Sequence, residues 1–492
     1  MRAILPALLA LLLAACGQPP DATIRLGIAN APVILDPRLA TDAASDRIDR
    51  LLFARLVDFD AAFRPRPALA DWRELAPTHY RFTLRSDRAP FHDGSPLTAA
   101  DVEATYRSLL DPALVSPLRA AFANLAGVRA VDADTVDFTL HAPDPLFPGL
   151  LTVGILPARL AGAGSRAATV PIGSGPLALE RWPEPERLRL RRVVDGARIE
   201  VLAVKDPTVR ALKLVRGELD LAQGDIAPEL LAWLGSQRGI AVERRPGSTF
   251  AYLGFRMDDP VAGQPAVRQA IALAIDREAI VRHLFAGAAR PAGALLPPEH
   301  WAGHPALRGS PYDPARARAL LRAAGFGPPH PPRLDWSISN DPFRLRIATV
   351  IQRQLAEAGI EVAIRSHDWG TFYGDIKAGR FQMFSLSWVG LKLPDAFRYA
   401  FHSASVPPAG SNRGRYASPA VDGLIEAAER EPDPDRRIAP YRALQERIAA
   451  DLPYVPLWFE DYVLARRADI EGYHPGVDGN YDDLARVSRQ PP

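Results

Sequence analysis

One cysteine stands among 492 residues, so no disulfide can close within the chain and no cluster of thiolates can hold a metal. An excess of charge is missing as well. Lys and Arg number 59 against 57 Asp and Glu, and the resulting +2 is too weak a field to imply a nucleic-acid partner. Past the N-terminal segment there is no run of about 18 apolar residues that could cross a bilayer as a helix. Enzyme signatures are absent too: there is no G-x-S-x-G elbow, no H-E-x-x-H and no P-loop. "GAGSRA", from Gly162, has the letters of a dinucleotide loop without a strand before it or a helix after it. His300 and His304 are four apart, but the prolines of "PPEHWAGHP" prevent the helix that would set both rings on one face. His367, beside Asp368 and Trp369, has no Ser or Cys nucleophile next to it in sequence. No catalytic residue, metal site or cofactor is expected.

What is present begins at the N-terminus. "MRAILPALLALLLAACGQPP" has one basic residue, Arg2, and an apolar run from Ala3 to Leu13, too short for a spanning helix and suited to a signal sequence. Ala14 and Ala15 precede Cys16, and "LAAC" followed by Gly17 resembles the lipobox of bacterial lipoproteins. That resemblance implies cleavage after residue 15 and a lipid on Cys16, leaving an exported, soluble body tethered to the membrane by its first residue.

The rest, 48% hydrophobic and 24% charged, is long enough for roughly two to four compact units. "TIRLGIA" reads as a strand and "SDRIDRLLFARLVDF" as an amphipathic helix starting at Ser45. From about 60 to 170 short strands and turns dominate, with a hairpin at "VRAVDADTVDFTL" and one helix, "TAADVEATYRSLL", where Thr98 and Asp101 form a capping box. From Ile199 strands and helices alternate: "IEVLAVKD", "PTVRALKLVRGE", "LDLAQGD", "APELLAWLGSQRG", "IAVERR". A helical run "PAVRQAIALAIDREAIVRHLFAG" and a helix capped by Asp313 lead into a second such series, in which Gly325, Gly359 and Gly379 close helices. Two separated series predict two α/β lobes with mostly parallel sheets.

Ligands of open α/β sheets bind beyond the carboxyl ends of strands. That rule marks Gln223 and Asp225 in the first series, and Asn340, Asp341, Ser366, His367, Ser387, Trp388 and Val389 in the second. Aromatic rings gather at the same places: Phe250, Tyr252, Trp388, Phe397, Tyr399, Trp458 and Tyr462. Flat rings offer contact area at low entropic cost, and Trp388, where a strand passes into a loop, is the ring best placed for ligand contact.

The segment "PALADWRELAPTHYRFTLRSDRAPFHDGSPLTAADVEATYRSLLDP", with "PIGSGPLALERW", "VRQAIALAIDREAIV", "YDPARARALLRAAGF" and "YASPAVDGLIEAAER" in that order, resembles the family 5 extracellular solute-binding proteins of ABC transporters, the oligopeptide-, dipeptide- and nickel-binding family. The resemblance implies a two-lobed periplasmic-binding-protein-like clamp (type II, cluster C) with an inserted β-rich subdomain. After a signal peptide (1–15) and a lipid-anchored linker (16–20), the first lobe would comprise 21–50, 171–257 and 455–492, the insert 51–170, and the second lobe 258–454. It also implies a monomer that captures a solute between the lobes and delivers it to an inner-membrane permease, with no chemistry of its own. Carried over residue by residue, Thr41, Ala43, Ser45, Gln223, Asp225 and Tyr252 match lining positions, and Ser387, Trp388 and Val389 match positions that pair with a peptide backbone. Where peptide-binding members place an acid for the peptide's α-ammonium, this chain has Leu391; Asp395 could substitute if the loop folds back, while Lys392 would suit an anionic group. A peptide or peptide-like solute is the leading expectation. The alternatives are a non-peptide solute such as an oligosaccharide or opine-like compound, a sensory binding protein without a permease, and an exported hydrolase using His367 or His402.

Overall fold

The computed structural model describes residues 22–162, 171–224 and 226–490. The signal and lipidation segment with Cys16, part of "GAGSRA", and Asp225 lie outside the described residues.

Among these residues one sheet of eleven strands organises the molecule. Its central members are two long antiparallel strands, Ile240–Phe255 and Tyr454–Arg467, which run from one half of the sheet into the other. On one side Tyr454–Arg467 pairs with Leu221–Gln223, followed by Ile24–Ile28 and Arg198–Ala203 in parallel, then Arg187–Arg192 and Leu177–Glu184. On the other side Ile240–Phe255 pairs with Met383–Trp388, beyond which lie Arg333–Ser339 and Glu361–His367, again in parallel. Two apolar cores follow, one around Leu26, Val201 and Leu464 and one around Leu253, Trp336 and Ile351. This is the two-lobed α/β architecture that the alternating periods predicted.

The long strands differ from the sequence reading, which stops the first at Arg245. Pro246 and Gly247 read as punctuation, yet the strand passes through them with a register shift between Arg245 and Thr249. A Cβ on Gly247 would stand 2.1 Å from the Glu460 carbonyl oxygen, so the crossing strands meet more closely there than any other residue permits. The partner change therefore falls inside the stretch up to 257 that the sequence reading placed wholly in the first lobe. Phe250 and Tyr252 are strand interior, each 1% exposed, and Tyr252 stacks on Tyr454 at 4.0 Å.

Residues 70–140 form a separate four-stranded antiparallel sheet under the helix Ala99–Leu110. The capping box is present, the Thr98 amide donating to Asp101 Oδ2 at 2.8 Å. The expected hairpin turns on Asp132, whose Oδ1 accepts from the amides of Asp134 and Thr135.

The helix expected to run from Ser45 to about Phe59 is instead Ala43–Leu52, capped by Asp42. It stops because the Leu52 carbonyl is taken by the Gly175 amide at 2.8 Å, and the chain leaves as the short strand Val57–Phe59. The run "PAVRQAIALAIDREAIVRHLFAG" divides into Pro265–Ala274 and Arg277–Leu284, the second capped by Asp276. Gly325, Gly359 and Gly379 each take the left-handed conformation, φ of 89°, 85° and 73°, that ends a helix.

Candidate functional site

The strand Met383–Trp388 is paired along its whole length with Ile240–Phe255, but on its other edge only Met383 and Phe384 meet Arg333–Ser339. Beyond Phe384 that edge is unpaired among the described residues. A cavity of about 230 Å³ opens beside it, bounded by Ser385, Ser387 and Val389, with apolar walls from Trp336, Ile347 and Trp369. The indole nitrogen of Trp336 is buried there without a hydrogen-bond partner.

The chain turns at Gly390 (φ 71°), and the loop 390–395 borders another cavity of about 330 Å³. Its remaining walls come from the helix Ala43–Leu52 and from residues between Arg55 and Gly154. Leu391, Lys392 and Asp395 all line it, so the loop does fold back far enough to bring Asp395 beside Leu391. The loop is held by His300. The Ala302 amide donates to His300 Nδ1 at 3.0 Å, which leaves Nε2 as the donor to the Lys392 carbonyl at 3.0 Å. Burial depresses the His300 ring to about 4, so it is neutral at physiological pH and serves as a strut. His304 bonds to Glu446 and shares no partner with His300. Among the described residues no group of three or more His, Cys, Asp or Glu side chains could hold a metal ion.

Charge around this cavity is sorted. Lys392 reaches across to Asp478 at 2.9 Å, so its ammonium is occupied within the protein and does not face an anionic ligand group as the sequence reading allowed. Burial would raise the Asp478 carboxyl, but the charges of Lys392 and Arg50 overcome it and hold the group below its usual range. Arg50 pairs with Asp482 at 2.7 Å and with Asp58 at 3.3 Å, and Arg55 pairs with Asp58 at 3.2 Å. Asp395 keeps accessible surface but stands in the cavity wall, where desolvation first, then the charges of Asp144 and Glu429, push it up to about 6. Asp49 is 4% exposed and neither carboxylate oxygen has a hydrogen-bond partner. Burial, reinforced by Asp36, Asp46 and Asp42, holds its carboxyl well above the ordinary range.

The residues marked from sequence thus divide. Leu391, Lys392 and Asp395 share one cavity, and Tyr252, Ser387 and Val389 border the other. Trp388 lies between, its ring edge-on to Tyr399 and 5.6 Å from the Arg413 guanidinium. Thr41 and Ala43 are exposed at the helix start and border neither cavity. Ser45 is fully buried, its Oγ accepting from the amides of Val33 and Ile34, and Gln223 is committed to the Gly479 carbonyl and the Tyr473 hydroxyl. Those two side chains hold backbone and cannot also serve a ligand. Asp49, Arg50, Arg55 and Asp478 were not marked. Asp49 carried a signal: with 45, 48 and 52 it completes the i, i+3, i+4, i+7 arc that a helix buries, where a carboxylate is out of place.

Comparison with known proteins decides the class. The description of bacterial extracellular solute-binding proteins, family 5 (middle region), matches residues 62–407. The chain belongs to this family. The glutathione-binding protein GsiB of Escherichia coli O6:K15:H31 is 28% identical over 459 residues, 89% of each chain. GsiB of Salmonella choleraesuis is 28% identical over 471 residues, 91% of each chain. Among solved structures, the substrate-binding protein CtaP of Listeria monocytogenes superposes with a TM-score of 0.85 at 24% identity, covering 96% of this chain and 100% of that one. DppA of Helicobacter pylori, in complex with the peptide STSA, superposes with a TM-score of 0.78 at 25% identity, covering 95% and 98%. Family 5 proteins are exported, non-enzymatic components that bind a solute and hand it to an ABC permease, and this solute-binding protein shares that role.

The Lys392 to Asp478 pair ties the loop of one lobe to the C-terminal segment packed on the other. Lys392→Ala is expected to cost about 1.5–3 kcal/mol, because it leaves a poorly solvated carboxylate short of a charged donor. The urea midpoint measures this, and an unchanged midpoint would contradict it.

Proposed function

We propose that this protein is the solute-binding lipoprotein of an ABC importer for small peptides or peptide-like solutes, monomeric and anchored through Cys16. The observation that carries the peptide reading is the unpaired edge of Met383–Trp388 beyond Phe384, opening on a cavity. An extended ligand can add to such an edge as a further strand, its backbone giving affinity and its alternate side chains entering the flanking space. The cavities of about 230 and 330 Å³ are together of the size that encloses a small ligand. The names of the relatives, for glutathione and for peptides, point the same way.

The test is thermal unfolding of the mature chain with glutathione, dipeptides, tripeptides and small oligosaccharides, each checked for consumption. A peptide-class member is expected to stabilise saturably, by about 2.7 kcal/mol at a hundredfold excess over Kd, and to be recovered intact. Stabilisation by oligosaccharides alone would overturn the peptide reading; consumption of peptide, lost in His367→Ala, would overturn the transport reading.

A further inference from the structure

The ionisable side chains lining the 330 Å³ cavity are Asp46, Asp49, Arg50, Arg55, Lys392 and Asp395. The three cations are each matched inside the protein: Arg50 by Asp482 and Asp58, Arg55 by Asp58, Lys392 by Asp478. None of those partner carboxylates borders the cavity; they lie behind its wall and draw the positive charge outward. The three acids have no cation among the described residues. Asp46 is exposed, but Asp49 is more than nine-tenths buried with both oxygens unpartnered, and Asp395, at the start of the short helix Ala396–Phe401, makes no capping bond. A buried carboxylate without a partner costs several kcal/mol unless it is protonated or meets a cation. The cavity therefore lacks one positive charge and has carboxylates from two separate elements to receive it.

We propose that this cavity binds the ammonium group of the transported solute between Asp49 and Asp395, so that the solute is cationic at this end. The proposal rests on the solute-binding reading above and names the chemistry of its site. A compact organic ammonium fits better than a metal ion, because among the described residues no three His, Cys, Asp or Glu side chains are grouped to hold one. Leu391 on the same wall packs with the buried cluster around Phe397 and Tyr441, and gives the carbon chain bearing the ammonium an apolar surface. The raised carboxyls of Asp49 and Asp395 fit a site whose charge is completed by its ligand.

The experiment pairs each amine probe with its N-acetylated form: trialanine, γ-glutamyl-cysteinyl-glycine (glutathione) and ornithine, measured by calorimetry and thermal shift on the wild-type mature chain, Asp49→Asn and Asp395→Asn. At least one free amine is expected to bind, at least tenfold more tightly than its acetylated partner. That preference should fall at least tenfold in each variant. Asp395→Asn, at the more accessible position, decides the matter if Asp49→Asn does not fold. Equal binding of amine and acetylated forms, or an amine preference unchanged in both variants, would overturn this proposal and leave the solute-binding role standing. Binding of no probe in the set would overturn it as well, and if the wider solute panel also failed to stabilise the chain, the peptide reading would fall separately.

Discussion

Asp58→Ala is expected to lower stability by about 3–5 kcal/mol, the usual cost of breaking a buried ion pair by removing one partner. Asp58 is 9% exposed and takes three guanidiniums, Arg50, Arg55 and Arg66, at 3.2–3.3 Å. Its Oδ1 also accepts the Phe59 amide at 2.9 Å. Arg50 would keep Asp482, but Arg55, itself largely buried, would be left with Asp482 at 4.0 Å as its nearest carboxylate. Burial alone would raise the Asp58 carboxyl; the charges of Arg55 and then Arg50, with the Phe59 amide, reverse this and hold it far below the usual range. A depressed folded-state pKa stabilises above the unfolded value of about 3.9, and the contribution is lost as pH falls through the folded value. The gap between wild type and variant in urea should therefore be full at pH 7 and narrow only below about pH 4. A gap under about 1 kcal/mol at pH 7 would mean that Arg55 finds compensation elsewhere.

Gly173→Ala should be at least as damaging, with a loss of about 3 kcal/mol or more. A Cβ there would stand 1.9 Å from the Leu52 carbonyl oxygen and 2.7 Å from its carbon. These are backbone atoms at the end of the helix that presents Asp49 and Arg50, so relief requires unwinding that turn or lifting the clasp formed by Gly175 N on Leu52 O and His92 N on Gly173 O. Ser174→Ala, between the two glycines, is the control: its Oγ is buried without a partner, so removing it should change stability by less than about 1 kcal/mol. Equal denaturant midpoints for the two variants would show that the close approach is not what requires glycine.

The sequence revealed what depends on neighbours a few positions away. Periodicity marked the alternating strands and helices, Asp313 and Thr98 marked helix starts, and the loop after Trp388 marked a cleft wall, because each signal is local. What it hid is decided by partners far along the chain. Lys392 is matched by Asp478, Gln223 by Gly479 and Tyr473, Arg50 by Asp482, and no spacing rule announces such pairs. The same reason explains Ser45, legible as a polar residue at a helix start but spent on two amides of a preceding loop. Pro246 and Gly247 misled in the opposite way, since residues that normally end a strand here allow two strands to cross.

The two strands shared by both halves of the sheet have a consequence for affinity. A site assembled from surfaces on separate bodies must meet the entropy of bringing those bodies together each time a solute arrives. Here Ile240–Phe255 and Tyr454–Arg467 hold the halves in one hydrogen-bonded sheet, so that cost is met once, during folding. The second surface meets the solute as an intramolecular partner at high effective concentration, and a few well-placed polar contacts suffice for tight capture.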